Sequence, residues 1–159
     1  LGHYPHVILA GRSVNDSMPK YVADITVKSL MYVGKMLKGS KVLIMGLTYK
    51  ENVADTRETL AKDLAKELKN HGCDVYGYDP YLLNTGNGKK LGAEFIDSLE
   101  NLEGILFDGI IVTVAHEAFK KMKLKDLAKI QNDDPVLIDV RGLYNGEKAR
   151  KAGFMYKTL

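Results

Sequence analysis

A single cysteine, Cys73, stands in 159 residues, so an internal disulfide and a metal site built on thiolates are both excluded. The same scarcity fits a reducing compartment, and a cytoplasmic location is expected. No apolar run approaches the roughly 18 residues of a membrane span. No charged-then-apolar leader opens the chain, so secretion is not expected. Charge of one sign is also missing. With 23 basic and 20 acidic residues the net charge is +3, far from the dense basic stripe of a nucleic-acid binder but compatible with a small anionic ligand. Internal repeats and low-complexity tracts are absent. Hydrophobic residues make up 45%, enough for one ordinary globular core. The chain opens on Leu1 rather than Met, and a fragment of something longer is expected.

What is present is an alternation of strand and helix patterns. Residues 1–15, with Gly2, Pro5 and Gly11, read as an irregular arm. Asn15, Asp16 and Ser17 offer helix caps, Pro19 suits a first turn, and Val22, Ile25, Leu30, Val33, Met36 and Leu37 recur at helical spacing until Gly39. Strands are predicted over 42–47, 74–78, 93–96, 110–114, 136–140 and 154–156. Helices are predicted from near Thr56 to Gly72, over 119–130 and around 147–151. The segment 81–90 reads as a flexible loop. Such alternation predicts a Rossmann-like, doubly wound parallel sheet preceded by a long α-helix. The predicted division is residues 1–39 as arm and linker helix and 40–159 as the α/β domain.

Ligands of such sheets bind beyond the carboxyl ends of the strands. The first strand ends in Met45-Gly46-Leu47-Thr48-Tyr49-Lys50, with one glycine where a dinucleotide fingerprint needs three. Ordinary NAD binding by this domain is therefore not expected. The loop after this strand is longer than usual, which points to function. Lys50 in it has two readings of equal weight, a solvated surface lysine or a point charge for a phosphate. Asp55 and Glu58 suggest a capping box, which would put Arg57 in a first helical turn where the dipole disfavours a cation. A solvated arginine and an arginine with an anionic partner both fit. Asp79-Pro80 reads mainly as a turn, and Thr113 and His116 face the crevice, His116 more as a loop or helix-start residue than as a catalyst. Arg141 suits a bidentate phosphate contact, the alternative being an ion pair with Asp139 or Asp79. Cys73 has no paired base and reads as structural.

These residues resemble the UDP-glucose/GDP-mannose dehydrogenase family. Gly46-Leu47-Thr48-Tyr49-Lys50-Glu51-Asn52-Val53-Ala54-Asp55-Thr56-Arg57-Glu58 is similar to that family's G-L-[AT]-[FY]-K-x-x-x-x-D-x-R motif. It is joined by Tyr78-Asp79-Pro80, His116-Glu117-Ala118-Phe119 and Ile138-Asp139-Val140-Arg141, and by Ile8-Leu9-Ala10-Gly11-Arg12 and Val14-Asn15-Asp16-Ser17-Met18 near the start. The opening, and a histidine instead of Glu-Trp after the fourth strand, look more like the UDP-N-acetylhexosamine branch. The resemblance implies a cytoplasmic, NAD-dependent oxidoreductase of polysaccharide biosynthesis that oxidises the C6 alcohol of a UDP-sugar through a cysteine thiohemiacetal and thioester. It implies that Tyr49, Lys50 and Arg141 bind the nucleotide sugar, that Arg57 reaches toward the NAD, and that the helix after the arm forms a homodimer interface. The family's NAD domain and catalytic cysteine are not found in this chain, so no catalytic residue is assigned and no turnover by the chain alone is expected. A stand-alone nucleotide-binding module, a flavodoxin-like receiver and a dimerisation piece are the competing readings. The first is not excluded. The second lacks acidic residues at the end of its first strand.

Overall fold

The computed structural model describes the backbone of residues 4–159 and the side chains of residues 16–159. Six strands form one all-parallel sheet in the order β3-β2-β1-β4-β5-β6. They are β1 (Lys41–Met45), β2 (Asp74–Tyr78), β3 (Glu94–Phe95), β4 (Phe107–Val112), β5 (Gln131–Asp139) and β6 (Met155–Thr158). The helices are α1 (Tyr4–Tyr32), α2 (Ala61–Asn70), α3 (Glu117–Lys120), α4 (Leu124–Lys129) and α5 (Gly146–Lys151). The chain winds outward from β1 to one edge, returns to β4 beside β1 and continues to the other edge. This is the Rossmann-like α/β order expected, with its switch point between β1 and β4.

Alternating side chains along each strand feed two cores. Val42, Ile44, Ile111, Val136 and Ile138 face α1 and α2, where Val22, Ala23, Leu30, Leu64 and Leu68 meet them. Leu43, Met45, Ile110, Val112 and Leu137 face the other way, toward Phe119 on α3, Leu127 on α4 and Ala149 on α5. Each of these large side chains is essentially sealed from water, worth about 1.5–3 kcal/mol for a fully buried leucine or isoleucine.

Several boundaries differ from those predicted. The helix covers residues 4–15 as well, where an irregular arm was expected, although residues 1–3 of that arm lie outside the described residues. Pro19 therefore sits inside α1 rather than in its first turn, and one backbone hydrogen bond of the helix is missing there because proline has no N–H. The helix stops at Tyr32, short of Leu37, because Gly34 takes a φ of +82°. Its amide reaches the Met31 carbonyl at 3.0 Å and the Lys35 amide the Leu30 carbonyl at 2.9 Å, a paired C-terminal cap that only a left-handed residue allows. Gly72 ends α2 in the same manner, as predicted. The predicted helix over 119–130 is two short ones, α3 and α4. The segment 81–90 is built of turns and ends in a 3-10 turn, Gly88–Lys90.

Candidate functional site

Residues 46–60 join β1 to α2 at the carboxyl edge of the sheet. The connection begins with a close approach. Gly46 has a φ of +98°, and a Cβ on it would lie 2.8 Å from the Val114 Cβ and 2.9 Å from the Val114 nitrogen. Only glycine lets the ends of β1 and β4 meet here. The Thr113 hydroxyl donates to the Gly46 carbonyl across this contact.

Asp79 anchors the next two residues of the connection. It is fully buried, and its Oδ2 accepts from the Leu47 amide at 2.7 Å, the Thr48 amide at 3.2 Å and His116 Nε2 at 2.9 Å. Its Oδ1 accepts from the Tyr81 amide at 2.9 Å. The expected turn after β2 is thus also a hub between three strand ends. A buried carboxylate is tolerable only when hydrogen-bonded in this way. The bonds also consume the amides of the first strand–helix turn. In a dinucleotide fold those amides would face a pyrophosphate, so this turn does not fit NAD.

His116 is equally buried and caps α3, in keeping with its predicted helix-start place. Its Nδ1 accepts from the Asn52 amide at 2.9 Å, which assigns the ring proton to Nε2, the atom facing Asp79. The Tyr81 ring lies 4.7 Å from the imidazole and the Phe119 ring 5.2 Å. Asn52, in the left-handed region with φ of +60°, accepts at its Oδ1 from the Tyr81 hydroxyl at 3.1 Å and the Glu117 amide at 3.0 Å.

Between the two anchored residues Thr48 and Asn52, the chain displays Tyr49, Lys50 and Glu51. With Thr113, Val114 and Arg141 they line a cleft of about 290 Å³ at the switch point. Lys50 and Arg141, from the ends of β1 and β5, therefore share one cavity. Arg141 pairs with neither Asp139 nor Asp79. Its Nη2 lies 3.1 Å from Glu51 Oε1, both side chains being partly exposed. Two cations and one carboxylate leave the cleft with an excess positive charge. Tyr49 is 56% exposed at its lip.

Arg57 is held apart from this cleft. The predicted helix start at Thr56 and the capping box with Glu58 are not formed. The helix α2 begins at Ala61, and Glu58 has a φ of +56°. The Asp55 carboxylate instead accepts from the Arg57 amide, from Nε at 3.0 Å and from Nη2 at 2.9 Å. This fork of hydrogen bonds drives the Asp55 carboxyl down to about 2, and Arg57 remains 87% exposed. The anticipated conflict with a helix dipole does not arise, because Arg57 lies outside the helix.

Cys73 is buried behind α2, and desolvation pushes its thiol up to about 11, the reverse of an activated nucleophile. A larger groove, about 1140 Å³, runs between residues 97–106 and 118–130, and none of the sequence-predicted binding residues lines it. Among the described residues, no group of three or more His, Cys, Asp or Glu is placed to hold a metal ion, and no helix is long and apolar enough to cross a membrane. Sequence reasoning missed Glu51 in the cleft and the anchoring by Asp79 and Asn52. The acidic residue directly after Lys50 was the one signal for the first.

Known proteins share this sequence pattern and fold. Residues 43–146 match the model of the UDP-glucose/GDP-mannose dehydrogenase family, UDP binding domain. The chain is 35% identical over 150 residues to a UDP-N-acetyl-D-glucosamine 6-dehydrogenase of Salmonella typhi, covering 94% of this chain and 34% of that protein. It is 32% identical over 156 residues to a UDP-N-acetyl-D-mannosamine dehydrogenase of Methanococcus maripaludis, covering 96% of this chain and 34% of the relative. The crystal structure of an NDP-N-acetyl-D-galactosaminuronic acid dehydrogenase from Methanosarcina mazei superposes with a TM-score of 0.82 at 31% identity, over 94% of this chain and 30% of that one. The chain thus spans about a third of the length of the curated relatives it matches.

Proposed function

The chain belongs to the UDP-glucose/GDP-mannose dehydrogenase family, through its UDP binding domain, and from that premise we propose that the switch-point cleft holds the diphosphate of a UDP-sugar. The observation that carries the reading is the meeting of Lys50 and Arg141 in one cavity at the carboxyl edge of the sheet. Lys50 supplies a compact charge on a flexible stem, and Arg141 a planar fork matched to two phosphate oxygens. Tyr49 offers a ring and a hydroxyl at the lip, suited to the nucleoside or sugar. The relatives named for N-acetylhexosamine substrates favour a UDP-N-acetylhexosamine as the sugar.

In this reading the parent protein is an oxidoreductase that converts the sugar C6 alcohol to the carboxylate, with NAD accepting hydride. This chain supplies the nucleotide cradle and not the NAD site, since Asp79 already occupies the amides of Leu47 and Thr48. Arg57, exposed and oriented by Asp55, faces outward as a contact for the NAD held by another domain. Cys73 is no candidate for the sulfur chemistry. The isolated chain binds and does not turn over; NADH formed from a UDP-sugar by this chain would contradict that. Tyr21, Met31 and Tyr32 on α1, 55%, 59% and 80% exposed, support a homodimer through that helix in a cytoplasmic enzyme.

Calorimetric titration with UDP tests the binding site. Lys50→Ala and Arg141→Ala should each weaken UDP binding by about 10- to 100-fold, the scale of a charge-assisted hydrogen bond, without shifting the melting temperature. Unchanged titration curves for both variants would refute the assignment.

A further inference from the structure

The geometry points to His116 as a positioning residue: its Nδ1 lone pair, by accepting the Asn52 amide, holds the Tyr49-Lys50-Glu51 span in its ligand-facing arrangement. The inference rests on the UDP-sugar reading above.

The span is held at both ends. Upstream, the Thr48 amide is bonded to Asp79, and the Thr48 hydroxyl donates to the Lys50 carbonyl at 3.0 Å. Downstream, Asn52 adopts a φ of +60°, a region that asparagine tolerates better than most residues but that still needs support. The support comes from the imidazole lone pair and from the Tyr81 hydroxyl and Glu117 amide on its side chain. Of these partners, the His116 lone pair is the one that holds the Asn52 backbone itself.

Without that lone pair the Asn52 N–H has no acceptor, while the Nε2–H bond to Asp79 stays intact. The downstream anchor is then released, and Lys50 loses its fixed position without unfolding of the domain.

Two substitutions separate the two ring nitrogens. In His116→Asn the side-chain oxygen stands where Nδ1 stood and accepts the Asn52 amide. In His116→Gln the amide nitrogen stands where Nε2 stood, facing Asp79 and the Thr48 hydroxyl, and the Asn52 amide is left without its acceptor. Titrating UDP into the 159-residue chain should show near-wild-type affinity in His116→Asn. His116→Gln should bind about tenfold more weakly, the scale of one hydrogen bond, yet with a higher melting temperature than His116→Asn. Equal affinities for the two variants would overturn the proposal. If wild type binds no UDP, the UDP reading fails, and the Asn52 amide still decides this one. Its protection from hydrogen exchange, relative to the neighbouring sheet amides, should fall in His116→Gln and hold in His116→Asn, and equal protection in both would sink the assignment.

Discussion

The carboxylate of Asp79 lies 2.7 Å from the amide nitrogen of Leu47, thirty-two residues earlier in the chain. One side chain at the end of β2 therefore shapes the connection that leaves β1. Replacing it by alanine strands the buried amides of Leu47 and Thr48, and takes a partner from the half-buried Tyr81 amide and from His116 Nε2, which keeps only the Thr48 hydroxyl at 3.2 Å. Each unsatisfied buried donor costs about 1–3 kcal/mol, so Asp79→Ala should lose roughly 3–5 kcal/mol or more. Urea unfolding measures this, and a midpoint close to wild type would show that the hub contributes little.

Glu51 occupies Arg141 before any ligand does. Neutralising it should leave the guanidinium free and raise the positive charge of the cleft. Glu51→Gln is expected to bind UDP several-fold more tightly, about 1 kcal/mol or less for a partly exposed pair. The gain should shrink in high salt as screening grows. Weaker binding would mean that Glu51 holds a hydroxyl of the ligand instead.

The Asp55–Arg57 pair makes a prediction free of any ligand. Asp55 titrates at about 2 because of the arginine's hydrogen bonds, against an ordinary 3.8. In Arg57→Ala its titration, followed by NMR, should return toward the ordinary value. Any stability the pair contributes is present above that value and fades as pH falls toward 2, but exposure keeps it small. UDP affinity of this chain should not change. A large loss would move Arg57 into the nucleotide site.

A buried carboxylate also governs the alkaline limb. The Tyr156 hydroxyl donates to Asp139 Oδ2 at 2.8 Å, and the Tyr144 amide donates to the same oxygen at 2.8 Å. Burial, with Asp139 beside them, pushes both phenols up to about 12. Raised values mean that the protonated forms stabilise the fold. That contribution is complete below the ordinary phenol value of about 10 and drains away as pH rises toward 12. Stability measured across this interval should fall, and Tyr156→Phe should flatten the decline while lowering the plateau by about 0.5–1.5 kcal/mol or somewhat more for a charged acceptor. A decline unchanged in both single phenylalanine variants would contradict this.

Much of this was legible in the residues. Apolar runs such as Val42–Leu47 and Val136–Val140 announced buried parallel strands, and Gly72 announced the end of α2. The cleft residues Tyr49, Lys50 and Arg141 stood at predicted strand ends, and a fold-level rule sufficed to look there. What failed was local. Pro19 suggested a helix start, but α1 runs through it, and its packing against the sheet through Val22, Ala23 and Leu30 outweighs one missing bond. The pair Asp55 and Glu58 matched a capping pattern, yet Arg57 captured the Asp55 carboxylate and Glu58 turned left-handed, so the helix waited for Ala61. The hub of Asp79, His116 and Asn52 joins residues from three distant segments, and no spacing rule along the chain brings them together.

The way α1 lies across the strands has a practical consequence for anyone trimming this polypeptide. A shortened version beginning at Ser40 would keep every strand and the whole cleft, yet it would strip the cover from β4 and β5, where Ile111, Val136 and Ile138 face the helix. Such a piece should clump rather than stay dispersed, so the sensible cut for an expression vector lies ahead of the helix, not behind it.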